Sequence, residues 1–257
     1  MRPLIVGNWK MHGLQAQLRE IAALAGKVKT RRPAVDIMIC PPATLIERAV
    51  RAAGGSIAIG GQDCHWDVSG AHTGDTSSEM LKDDGASAVI VGHSERRQNH
   101  GESNSIVMAK AKAAQRAGLL AVICIGETAA QRRSDNALSV CADQIAGSVP
   151  LGMTARSIAI AYEPLWAIGT GGAATNREIV DMHAHIRRSL SARLGKDSHE
   201  TRILYGGSVN VSNATEILAL PNVGGALVGR ASLLVNDFEA IVWSASTAAL
   251  ALPATGR

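Results

Sequence analysis

The chain has 257 residues, 46% hydrophobic and 19% charged, a composition that excludes disordered, collagen-like and disulfide-scaffold classes. Lys plus Arg is 26 against 22 Asp plus Glu, a formal charge of +4, which suits a small anionic metabolite without demanding one. Aromatics at 3% count against a base-stacking nucleic-acid binder, and no apolar run approaches the roughly 18 residues of a membrane span.

The N-terminus reads Met1-Arg2-Pro3-Leu4-Ile5-Val6-Gly7-Asn8-Trp9-Lys10, an apolar run too short for a signal peptide. Its residues 4–7 are the first of eight short segments that are apolar at every position. The others are 37–40, 57–59, 88–92, 120–126, 158–162, 203–205 and 226–229, each the pattern of a strand buried on both faces. Between them, residues 14–28, 104–117, 176–194 and 211–220 carry the apolar period of helices. The basic cluster Lys27, Lys29, Arg31 and Arg32 follows the first of these and reads as cations at a helix C-terminus.

Strands alternating with helices predict a parallel sheet. The count of eight, in a length near the ~250 residues typical of the closed form, favours an α/β fold of the single-domain (β/α)8 barrel type over an open doubly wound sheet. Gly7-Asn8-Trp9-Lys10 follows the first strand, so the glycine fingerprint of a dinucleotide-binding sheet is absent. No linker divides residues 1–257. Cys40, Cys64, Cys124 and Cys141 form no Cys-x-x-Cys pair, and Cys40 and Cys124 lie inside apolar runs, as buried small hydrophobes do. A reducing, cytoplasmic setting is expected.

In a barrel of this type the chemistry lies at the C-terminal ends of the strands. Those ends supply Asn8 and Lys10, His93, Glu163, Gly206-Gly207-Ser208, and Gly229-Arg230. Asn8 and Lys10, two apart on an extended chain, point to one side and Trp9 to the other. Taken singly, the lysine reads equally as a solvated cation, the histidine as a structural hydrogen-bonder and the glycines as tight turns. Together they place a cation, an imidazole and a carboxylate on one rim. The glycine turns after strands seven and eight fit phosphate bound by backbone N–H groups.

Rival chemistries lack their parts. His93-Ser94-Glu95 are neighbours in sequence and cannot form a hydrolase relay, and the second glycine of a nucleophile elbow is missing. His183 and His185 splay apart on a helix, and the loop bearing Cys64, His65 and His72 offers no further metal ligands. No metal and no cofactor are expected. A carboxylate base and a neutral imidazole beside a phosphate pocket fit proton transfer next to a carbonyl, hence aldose–ketose isomerisation through an enediol.

Several longer motifs carry a resemblance. Gly7-Asn8-Trp9-Lys10-Met11, Gly92-His93-Ser94-Glu95-Arg96-Arg97, Ala161-Tyr162-Glu163-Pro164-Leu165-Trp166-Ala167-Ile168-Gly169-Thr170-Gly171 and Tyr205-Gly206-Gly207-Ser208-Val209 resemble the signatures of the triosephosphate isomerase family. Gly225-Ala226-Leu227-Val228-Gly229-Arg230-Ala231-Ser232-Leu233 is similar to its phosphate-binding segment. The likeness runs from Leu4 to about Phe238, and it implies a TIM barrel that interconverts dihydroxyacetone phosphate and D-glyceraldehyde 3-phosphate. It makes Glu163 the general base, His93 the neutral electrophile and Lys10 the fixed positive charge. Asn8, Lys10, Gly169, Ser208, Gly229 and Arg230 would bind substrate, with Glu95 supporting Lys10. The segment opening at Pro164 and ending at Ala174 resembles a closing lid. The loop that begins at Gln62 and ends at Asp75 is similar to one that reaches into a second subunit. That likeness implies a homodimer in which Thr73 approaches the partner's site.

This sequence departs from the family pattern at Arg230, where a second glycine is usual, at Leu165, and at the lid's far hinge Gly172-Ala173-Ala174. An isomerase of a four-carbon sugar phosphate is therefore the alternative on this scaffold. A catalytically silent binding barrel would have lost Lys10, His93 or Glu163, and all three are present.

Overall fold

The computed structural model describes residues 2–168 and 174–251. Its strands are β1 (Leu4–Asn8), β2 (Asp36–Cys40), β3 (Ala58–Gly61), β4 (Ala88–Val91), β5 (Leu120–Ile125), β6 (Ile158–Tyr162), β7 (Arg202–Tyr205) and β8 (Gly225–Val228). They pair in chain order, all parallel, and β1 closes the barrel against β8, with Gly7 opposite Val228. The α-helices are α1 (Leu18–Arg31), α2 (Ile46–Ala53), α3 (Ser78–Asp83), α4 (Ser94–Asn99), α5 (Asn104–Arg116), α6 (Ala129–Arg133), α7 (Ala137–Ser148), α8 (Asn176–Leu194), α9 (Ala214–Leu218) and α10 (Val235–Ala251).

The doubly apolar runs are explained by two cores. Alternate strand residues point to opposite faces. Leu4, Val6, Met38, Cys40, Ile90, Val122, Cys124 and Leu204 fill the barrel interior together with small Ala88, Ala159 and Ala161. Ile5, Ile39, Val89, Ile123, Ile160 and Ile203 face outward and pack in the larger core shared with the helices, where Ile21, Val107, Ile145, Ile186 and Ile241 belong. All eight expected strands form, with ends shifted by a residue or two. The third differs most, running through Gly60 and Gly61, because a Cβ at Gly60 would stand 2.9 Å from Cys40 Sγ on the neighbouring strand β2. Glycine there is a packing requirement that an apolar-run criterion reads as an end.

The basic cluster does close the first helix. Lys29 and Arg31 lie in its last turn, and Arg32 ends it at φ 46°. Lys27 pairs with Glu239 at 2.7 Å, and Arg31 lies over the Trp243 ring at 4.0 Å. That helix begins later than the period predicts, after a 3-10 turn at Gln15–Gln17. The helix expected over 211–220 shortens to α9. Cys40, Cys64, Cys124 and Cys141 are all free and buried. Among the described residues no helix is long and apolar enough to cross a membrane.

Candidate active site

Strand β1 ends on Asn8, which is 5% exposed, and the chain does not stay extended to Lys10 as expected. Lys10 turns to φ 53°, and its N–H donates to Asn8 Oδ1 at 3.0 Å. Gln62 Nε2 donates to the carbonyls of Lys10 and Cys40, both at 2.8 Å, fixing that turn to the end of β2. Trp9 points the other way, 2% exposed, with its indole N–H donating to the Ser232 carbonyl at 3.0 Å. The two sides are as predicted; the backbone that achieves them is a left-handed turn. Lys10 Nζ reaches Glu95 Oε1 at 2.5 Å.

After β4, Gly92 at φ 66° bends the chain beneath Arg97 and Val107 and delivers His93 as the cap of α4. The Glu95 N–H donates to His93 Nδ1 at 3.2 Å. That nitrogen must therefore hold a lone pair, which leaves the ring neutral with its hydrogen on Nε2. His93 Nε2 lies 3.0 Å from Glu163 Oε1.

Glu163 directly follows β6 and is 2% exposed. Its N–H donates to the Ile125 carbonyl at 2.7 Å. Its own carbonyl passes so close to Gly126 that a Cβ there would collide with it, which is why the residue after β5 has no side chain. Glu163 Oε2 accepts from the Ser94 N–H at 2.9 Å and Oε1 from the Ser94 hydroxyl at 3.1 Å. Burial alone would raise the Glu163 pKa, but His93 and the Ser94 donors together lower it below its ordinary value. For His93, burial pulls the pKa down and the Glu163 carboxylate outweighs it, raising it above the ordinary value. That rise belongs to the carboxylate contact, whereas the lone pair on Nδ1 is imposed by the helix.

Asn8, Lys10, His93, Glu163, Ser208, Gly229 and Arg230 line one cleft of about 480 Å³. Ser208 donates its hydroxyl to the Ala167 carbonyl at 2.9 Å and accepts from Asn213 Nδ2 at 2.9 Å through its own carbonyl. Tyr205 rises so close over Gly207 that a Cβ there would strike its hydroxyl. Arg230 opens a 3-10 turn, Arg230–Ser232, with its side chain exposed and its backbone outside the left-handed region. Residues 169–173 of the expected lid, Gly169 among them, lie outside the described residues, while 164–168 and 174 are described. Thr73 is exposed on its loop and does not border this cleft. A larger cavity of about 820 Å³ opens at the opposite end of the barrel, beside Arg2, Asp36 and Arg202. There Asp36 is already paired with both arginines, and no base–acid pair comparable to Glu163 and His93 is found among its lining residues.

Two groups were missed by sequence reasoning. In the sequence Ser94 reads only as one letter of a hydrolase relay, yet in the structure it cradles the Glu163 carboxylate. Glu127, fully buried, accepts from the Tyr162 hydroxyl at 3.1 Å, the Trp166 indole N–H at 2.8 Å and Arg132 Nη1 at 3.1 Å. A carboxylate at the mouth of an apolar run singled out Glu163, and the same signal stood at Glu127. The histidines divide differently than expected. His183 and His185 do splay, toward Asn222 and Leu138 respectively. His65 and His72, however, lie beside Asp67, with one ligand-type atom from each side chain within 4.8 Å of the others.

The family model for triosephosphate isomerase matches residues 3–245. A triosephosphate isomerase from Afipia carboxidovorans is 56% identical over 245 residues, covering 94% of this chain and 96% of the relative. One from Ruegeria pomeroyi is 53% identical over 250 residues, covering 96% and 99%. The crystal structure of triosephosphate isomerase from Bartonella henselae superposes with a TM-score of 0.89 at 46% identity, covering 95% of this chain and 99% of that one.

Proposed function

The chain belongs to the triosephosphate isomerase family, and from that premise we propose how its rim performs the reaction. The activity is that of an aldose–ketose isomerase, an intramolecular oxidoreductase that interconverts dihydroxyacetone phosphate and D-glyceraldehyde 3-phosphate, a step of glycolysis and gluconeogenesis. The observation that carries the residue assignment is the meeting of Glu163 Oε1 with His93 Nε2 at 3.0 Å in a cleft shared with Lys10.

Glu163 is the base. Its depressed pKa keeps it ionised, and it takes the proton from one substrate carbon and returns it to the neighbouring one. Ser94 donates to both of its oxygens and His93 Nε2 lies against Oε1, which keeps the carboxylate charged and held at the rim. His93 donates its Nε2 hydrogen to the carbonyl oxygen as charge develops there; a neutral donor matches the weakly acidic enediol better than an imidazolium does. Lys10, braced by Glu95, sets a fixed positive charge beside phosphate and enediolate. Asn8 orients the substrate, and Gly169, Ser208, Gly229 and Arg230 hold the phosphate. The segment from Pro164 to Ala174 closes to exclude water. No cofactor takes part.

The active form in this reading is a cytoplasmic homodimer of single-domain barrels. The loop from Gln62 to Asp75 supports it: Thr73 is exposed and away from its own cleft, while Trp66 and Val68 expose apolar surface. A coupled assay on the purified chain tests the proposal, run with the triose phosphates and with a four-carbon sugar phosphate. Turnover of the triose substrate that vanishes in Glu163→Ala is expected. A large kcat/KM preference for the four-carbon compound would move the assignment to the alternative substrate.

A further inference from the structure

The loop between β3 and α3 curls back on its own start, where His65 bridges Ser77 in the parallel sense. The His65 N–H donates to the Thr76 carbonyl at 2.8 Å, and the Asp75 N–H to the His72 carbonyl at 3.0 Å. Between these ties the chain reverses through Gly70, at φ 152°, where a Cβ would stand 3.1 Å from His72 Nε2. The reversal lays the His72 ring on the His65 ring, with centroids 3.9 Å apart and planes at 30°. Trp66 stacks on His65 at 4.2 Å.

We propose that His65, Asp67 and His72 form a binding site for a borderline divalent transition-metal ion such as Zn²⁺. One atom from each of the three side chains lies within 4.8 Å of the others. His72 Nε2 is 3.0 Å and His65 Nδ1 3.9 Å from Asp67 Oδ2. Ligand atoms around a tetrahedral Zn²⁺ with bonds near 2.05 Å stand about 3.3 Å apart, so closure needs only side-chain adjustment. Two imidazoles and one carboxylate select zinc, nickel, copper or cobalt over calcium or magnesium.

The tautomer needed is already set. The Asp67 N–H donates to His65 Nδ1 at 3.1 Å, so that nitrogen carries a lone pair and Nε2 carries the hydrogen. His65 Nε2 faces Asp75 Oδ2 at 3.9 Å, on the side of the ring away from Asp67. Asp75 thus stands as the outer carboxylate that orients a metal-bound imidazole. Binding releases the Asp67 N–H to solvent, where water replaces its acceptor. The ion would join the outgoing limb, at His65 and Asp67, to the returning limb at His72. The stretch that bears Thr73, directly after His72, would then be held to the start of the loop.

Metal-stripped full-length protein is titrated with Co²⁺, following the visible absorption, and with Zn²⁺ by calorimetry. One ion per chain is expected at pH 7.5, with affinity falling at least tenfold in His72→Ala and in Asp67→Asn, a few-fold in Asp75→Asn, and unchanged in His199→Ala. Cu²⁺ should quench the fluorescence of Trp66, and Trp66→Phe should abolish the quenched component. The quenching reads the wild-type loop directly and so stands even if a loop variant fails to fold. Equal affinity in wild type and folded His72→Ala, no binding at millimolar metal, or quenching that persists in Trp66→Phe would each overturn the assignment.

Discussion

Two residues at the rim make sharp forecasts. Ser94 donates both its N–H and its hydroxyl to the ionised Glu163 carboxylate, and hydrogen bonds to the charged form lower a carboxyl pKa. Removing the hydroxyl in Ser94→Ala therefore moves the acid limb of the kcat/KM profile upward, because Glu163 protonates sooner as pH falls. A pH–rate series on both proteins reads this, and coincident acid limbs would mean that the hydroxyl does not tune the base. Arg230 is the departure that raised the question of substrate. Its backbone adopts no positive φ, so the turn does not need glycine, and its side chain is exposed. Arg230→Gly is expected to change kcat/KM by less than about tenfold, or roughly 1.4 kcal/mol. A loss of several hundredfold would show that the guanidinium itself grips phosphate.

At the scale of elements, the ends of β5 and β6 share one device: a buried carboxylate follows the apolar run and organises what comes next. Glu163 follows β6, and Glu127 stands two residues beyond β5, where it gathers Tyr162, Trp166 and Arg132. Glu127→Ala leaves the buried Tyr162 hydroxyl and the Trp166 indole N–H without this acceptor. At about 1–3 kcal/mol for a buried group left unpaired, a clear fall in Tm is expected in a thermal melt, and an unchanged Tm would show that water replaces the carboxylate. The sequence made the strands readable because each packs against two cores, so every position is apolar. The rim was readable because a polar residue at the mouth of such a run has nowhere else to go. What stayed hidden depends on contacts across the fold. The left-handed turn at Lys10 is held by Gln62, more than fifty positions away. The role of Ser94 appears only once β4 and β6 lie near each other. The pairing of His65 with His72 depends on a reversal that Gly70 permits.

At the scale of the whole molecule, acid stability turns on His183. It lies on α8, fully buried, with its ring edge-on to Tyr162 of β6 and tilted against Tyr205 of β7. Its Nδ1 lies 3.2 Å from the Asn222 carbonyl, just before β8, so it ties a helix to three successive strands. The hydrogen must sit on Nδ1 to satisfy that carbonyl, and Nε2 has no hydrogen-bond partner. Protonation would bury a charge and an N–H with no acceptor. Burial accordingly lowers the His183 pKa to about 4 from an ordinary 6.5. In the unfolded chain the ring takes up its proton near the ordinary value, so the folded state binds fewer protons between those limits and loses stability as pH falls across them. At 1.36 kcal/mol per pH unit the loss is about 3 kcal/mol, a large share of the 5–15 kcal/mol typical of a folded protein. The other shifted groups of the site act elsewhere. The depressed Glu163 loses its contribution only below about 4.5, and the raised His93 loses its own as pH climbs above 6.5. His183→Asn keeps an N–H donor for Asn222 and removes the titrating ring. Urea unfolding at fixed chain concentration should show wild-type stability dropping between pH 6.5 and 4, while the variant, whatever its stability at neutral pH, changes much less over that range. Parallel pH dependence in the two proteins would place the acid sensitivity in another group.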